Sequence, residues 1–218
     1  MNIKAKSLLT VSFVLVNGAS AFAQQKAEQP KFVLGDSNFR VDITVRPIHL
    51  MKNYGPRFDN TAMVNQVRLN GSTYLAPNGL VDEFGIDGTG VIGFEAAKAG
   101  DNFLKIGVGK LVRHYGEDYD FWHQYKIRQL LPVRVQRKGD VVTVRQNGYL
   151  AHKYGYAYTK RYRVLPKSAT LVIEYELRNS GRRPITFNHY NHNWFAFEGR
   201  STSPPYSLET KFPLAAKL

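Results

Sequence analysis

A chain of 218 residues with 30 basic and 17 acidic side chains, a formal net charge of +13 and no cysteine is held by no disulfide and carries no cysteine-linked lipid. The basic residues are spread over 134–138, 160–163 and 182–183, with no basic tail, no single helical face and no nucleic-acid-binding module, so nucleic acid is not the expected partner. Such a charge still attracts polyanions, and acidic sugars are the class of interest among them.

In chain order, Lys4 and Lys6, the apolar run Leu8 to Val16, and Ala21-Phe22-Ala23 before Gln24 have the form of a cleaved secretory signal. Residues 1–23 are therefore expected to direct export, to a periplasm or to the outside, and not to join the fold. The run is too short to span a bilayer and no later segment approaches ~20 apolar residues, so no stable membrane insertion is expected. Cleavage removes two lysines and leaves +11 on a chain long enough for one sizeable core. Residues 24–38 read as a polar leader, disordered at least over Gln24 to Gln29, and 39–218 as one domain.

From Phe39 onward the apolar period is two. Val41, Ile43 and Val45 alternate with Asp42, Thr44 and Arg46. Only Gly79 to Phe84 has any helical character. Val133 and Val135 face Val142 and Val144 across Arg137-Lys138-Gly139-Asp140, a hairpin pattern. His152, Tyr154, Tyr156, Tyr158 and Tyr162 share one parity and form a tyrosine ladder on one sheet face. Leu171, Ile173, Tyr175 and Leu177 alternate with Thr170, Val172, Glu174, Glu176 and Arg178 until the turn at Asn179-Ser180-Gly181. Many short strands at turn spacing predict an all-β fold, an antiparallel β-sandwich. Gly88-Thr89-Gly90 and Gly107-Val108-Gly109 lack the strand-helix setting of a phosphate loop and read as turns.

The run Asn191-His192-Asn193-Trp194-Phe195-Ala196-Phe197-Glu198-Gly199 places an imidazole among amides and aromatic rings, the composition of a sugar site. If 185–194 is extended, Asn188, Tyr190, His192 and Trp194 project from one face and Phe187, His189 and Asn191 from the other. His189 and His192 then cannot share a metal, and neither a metal nor another cofactor is expected. His192 taken alone also suits a hydrogen-bonded slot on a half-exposed sheet.

This run resembles the catalytic strand of the aldose 1-epimerase (galactose mutarotase-like) superfamily, Asn-His-Ser-Tyr-Phe-Asn-Leu-x-Gly, through Asn191, His192, Phe195 and Gly199, with Trp194 and Phe197 as like-for-like changes. The resemblance implies a β-sandwich with an open groove and cofactor-free exchange of sugar anomers, in which His192 protonates the ring oxygen and a glutamate removes the anomeric proton. That glutamate belongs to a C-terminal part that the chain is expected to lack, as in a shortened homologue; Ser203-Pro204-Pro205 and Phe212-Pro213 have the character of mid-domain sequence. The superfamily's second histidine falls on His114 or His123, around His114-Tyr115-Gly116-Glu117-Asp118. Gly55-Pro56-Arg57-Phe58-Asp59 resembles the opening of a secreted bacterial subgroup, and Arg57 is the candidate sugar-facing guanidinium unless it pairs with Asp59. The expected partner is a sugar or oligosaccharide, neutral or anionic. A noncatalytic carbohydrate-binding sandwich is the alternative.

Overall fold

A computed structural model describes residues 31–46, 55–86, 91–114, 116, 118–151 and 153–201. The signal segment, the leader up to Gln29, His152, Tyr115, Glu117, the Gly88-Thr89-Gly90 turn and the prolines at 204, 205 and 213 lie outside the described residues.

The fold is all-β and antiparallel. Strands β1 (Lys31–Gly35), β2 (Phe39–Val45), β3 (Ala62–Leu69), β4 (Ser72–Thr73) and β5 (Leu75–Phe84) come first, then β6 (Asn102–Lys105), β7 (Gly109–Val112) and β8 (Ile127–Leu130). β9 (Val133–Lys138), β10 (Val141–Leu150), β11 (Tyr154–Leu165) and β12 (Thr170–Asn179) follow, and β13 (His189–Phe197) and β14 (Arg200–Ser201) are the last among the described residues. A seven-stranded sheet has the order β1-β2-β3-β5-β13-β14 with β4 on β3; a four-stranded sheet runs β12-β11-β10-β9, and β6-β7-β8 make a third. Among the described residues no helix is long and apolar enough to cross a membrane.

The two larger sheets share a core. Leu34, Val41, Ile43 and Val64 from the first meet Val142, Val144, Tyr162 and Val164 from the second, as the period-two pattern requires. The predicted hairpin forms, with Val144 opposite Val135 and its turn at Gly139 and Asp140. The tyrosine ladder faces inward, so that Tyr156, Tyr158 and Tyr162 are fully buried on β11. Their hydroxyls find acceptors in Gln146, Asp59 and the Ala62 carbonyl, which permits burial.

Two sequence expectations are corrected. Residues 31–38, read as leader, supply β1 and its turn: Phe32 and Leu34 alternate with Lys31 and Val33, Leu34 packs into the core, and Asp36 accepts the Asn38 and Phe39 amides. Gly79 to Phe84 is not helical but lies in β5, the strand joining β3 to β13. Here a sheet buried on both faces outweighs weak local preference. Gly79 has φ +63° and passes so close to the Val64 carbonyl that a Cβ would lie 1.9 Å from its oxygen.

Candidate functional site

Alternation along β5 and β13 divides their side chains between two faces. His192 stands opposite Val81 and Tyr190 opposite Glu83, while Asn191 stands opposite Asp82 and His189 opposite Phe84. The core-facing side carries Leu80, Asp82, Phe84, His189 and Asn191; the far side carries Val81, Glu83, Tyr190 and His192. His189 and His192 point away from each other, as their odd spacing predicts. His189 stacks on Phe84 and its Nε2 lies 3.2 Å from Asp82, whereas His192 meets Phe58, Tyr190 and Trp194.

A register shift between Asn193 and Phe195 sets Trp194 at a bulge. Bulges re-aim side chains. Here the indole lies over the His192 ring with centroids 3.8 Å apart and planes at 17°, while the Tyr190 ring stands edge-on to His192 at 5.4 Å. Phe58, clustered with Met63 and Val81, meets both His192 and Trp194 edge-on from beneath at 5.7 and 5.6 Å. Tyr190 is exposed, and His192 and Trp194 are half-buried. Partial burial and the neighbouring Arg57 guanidinium both lower the imidazole below its ordinary value of 6.5, so at neutral pH the ring is mainly neutral.

Arg57 does not pair with Asp59. Its fork holds Glu83 bidentately, Nε to Oε1 at 2.8 Å and the second nitrogen to Oε2 at 3.0 Å, and both side chains are buried. Three rings flank the guanidinium, those of Phe58 at 4.8 Å, Phe121 at 4.6 Å and Trp122 at 4.1 Å. The fork that the sequence offered to a sugar is thus occupied by a protein carboxylate, and the guanidinium stands among rings, of which Phe58 also meets His192. Asp59 instead accepts hydrogen bonds from the Thr61 amide, Tyr158 and Lys160.

The remaining candidates are placed less centrally. His114 and His123 come together with centroids at 4.8 Å, both against Tyr125, in a cluster joined to the site through the neighbouring Trp122. Asn188 precedes β13, and its carbonyl accepts the Gly85 amide. Phe58 and Glu83 were missed as partners because nothing local in the sequence links them to position 192.

The chain matches no family model, no curated protein and no solved structure. Its functional reading therefore rests on the side chains themselves.

Beneath the Arg57–Glu83 pair lies Lys105, buried, its Nζ donating to the Phe84 carbonyl at 3.0 Å and to the Tyr119 hydroxyl at 2.5 Å. Burial pulls its ammonium down to about 7, against the opposing field of Glu83. A depressed lysine destabilises the fold while the buried group is charged, and the penalty fades as pH rises from the folded value toward the ordinary value near 10.4. Stability to urea should accordingly rise between about pH 7 and pH 9, by up to roughly 1 kcal/mol per pH unit, and Lys105→Met should flatten that rise. A flat wild-type profile, or an unchanged slope in the variant, contradicts the assignment.

Proposed function

We propose that the protein is an exported, carbohydrate-active β-sandwich of the aldose 1-epimerase kind that takes a sugar ring against the row Tyr190, His192 and Trp194. The observation that carries the reading is the stacked His192–Trp194 pair with an exposed tyrosine beside it, which sets apolar ring faces of the kind that a sugar ring packs on next to a titratable imidazole. In anomer exchange, protonated His192 gives its proton to the ring oxygen as the bond from that oxygen to the anomeric carbon breaks. The anomeric hydroxyl loses its proton to a base, the open-chain aldehyde turns, and the ring closes by the reverse steps. Glu83 does not serve as that base, because it is buried and both its oxygens hold Arg57. With water as the base, catalysis is limited to what one placed proton donor supplies, roughly 10² to 10⁴ in rate.

The sequestration of Glu83 also favours a second reading, a carbohydrate-binding sandwich that keeps the ring platform without the chemistry. Anomer exchange of a panel of aldoses, followed by nuclear magnetic resonance or polarimetry, separates the two. The catalytic reading expects exchange that slows as pH rises through the His192 value, below 6.5, because the acid form is the active one. Saturable sugar binding with no exchange at any pH leaves only the binding reading.

A further inference from the structure

The outer face of the four-stranded sheet carries charge that the core and the His192 row do not use. Cross-strand register sets Arg134 of β9 directly opposite Arg145 of β10, both exposed, and neither forms an ion pair among the described residues. Like charges facing one another across a strand pair disfavour the sheet unless an anion lies between them. Along β11, Arg161 and Arg163 continue the face; both lean on one carboxylate, Glu174 of β12, at 3.3 and 3.8 Å, and all three side chains are 44% exposed. Exposed pairs of this kind hold their charges weakly, and one carboxylate shared by two guanidiniums leaves positive charge over. Lys138, at the end of β9, lies across β10 from Arg163 through Val141.

The spacing is that of the sheet itself, ~4.8 Å between strands and ~6.8 Å between alternate residues. Between the cations stand the exposed amide of Gln136 and the half-buried hydroxyl of Thr159, with Glu176 of β12 opposite Thr159 as the second carboxylate of this face. An extended polymer with anionic groups a few ångströms apart and hydroxyls between them matches such a grid in both charge and hydrogen bonding. We propose that this face docks an anionic polysaccharide, one bearing uronate or sulfate groups. It lies on a different sheet from His192 and does not depend on the sugar reading of that row.

Heparin, which bears both groups, is the probe, with neutral dextran as its counterpart. The wild-type chain should bind heparin and not dextran, and added salt should weaken the binding, because exposed charges are screened over ~8 Å at physiological ionic strength. Arg134→Glu with Arg145→Glu should weaken heparin binding at least tenfold. Lys126→Glu with Arg128→Glu, the same change of charge at and just before β8 of the third sheet, should alter it less than twofold. Equal losses from the two double variants overturn the proposal, since net charge alone then explains binding. Tighter binding to duplex DNA or to phosphatidylserine vesicles than to heparin overturns the choice of partner. Should either variant fail to fold, acetylation of the wild-type protein decides: heparin should shield Lys138 and leave Lys126 reactive, and equal reactivity with and without heparin contradicts the assignment.

Discussion

Lys160→Met should lose about 3–5 kcal/mol of stability at neutral pH, because it strips the common partner from two buried carboxylates. Lys160 is 1% exposed on β11, between Tyr158 and Tyr162. Its ammonium donates to the Ala62 carbonyl at 2.9 Å, to Asp59 at 3.3 Å and to Asp82. Asp82 also accepts from Asn191 at 2.5 Å, so the network ties β11 to β5 and β13 and fixes the strand that carries His192. A loss of that size is a large fraction of a typical domain's stability of roughly 5–15 kcal/mol.

The pH dependence gives the prediction a sign. Burial opposes ionisation of Asp82, but Lys160, His189 and further hydrogen bonds together hold the carboxyl well below its ordinary value of 3.8. Its stabilisation is therefore present above that value and lost as pH falls through the folded one. Asp59 behaves oppositely: burial pushes it up despite Lys160, so its ionised form weighs against the fold and acid relieves it. Without Lys160 both carboxylates shift upward, and acidification from about pH 7 to pH 5 should restore part of the lost stability. Urea unfolding at the two pH values checks this; a loss below about 1 kcal/mol at neutral pH shows that the ammonium is not the partner that holds the cluster.

The second large effect concerns catalysis. His192→Asn should keep the fold and cut anomer exchange by roughly 10² or more, while changing sugar affinity by no more than one hydrogen bond, ~1 kcal/mol. Trp194→Ala removes the ring on which both His192 and the sugar rest and should weaken affinity more than His192→Asn does. Under the binding reading Trp194→Ala is the more damaging change in every assay. Steady-state exchange rates and sugar titrations on the two variants give the ranking, and an unchanged exchange rate in His192→Asn removes the imidazole from the mechanism.

The sandwich was legible because inward positions on β2, β10, β11 and β12 repeat with period two, a signal that survives without tertiary context. The two faces of β13 followed from the same alternation. Position 160 also carried a signal: a lysine at the inward parity of the tyrosine ladder marks a buried cation that needs carboxylates, though the sequence could not name Asp59 and Asp82, 101 and 78 residues away. The Arg57–Glu83 pair, 26 residues apart, was hidden for the same reason, since β5 brings Glu83 beneath Arg57 only once the sheet forms. β1 was missed because a five-residue strand beside a polar leader has too few alternations to stand out.

The chain has two tryptophans, at 122 and 194, so their indole N–H resonances are readily assigned by substitution. Titration of the wild-type protein with the panel of aldoses and oligosaccharides should move the Trp194 indole and the His192 ring resonances together and saturably, with His189 on the opposite face unaffected. Shifts confined to His189, Asn191 and Tyr175, or no shift with any sugar, would contradict the placement of a carbohydrate on the Tyr190, His192 and Trp194 row.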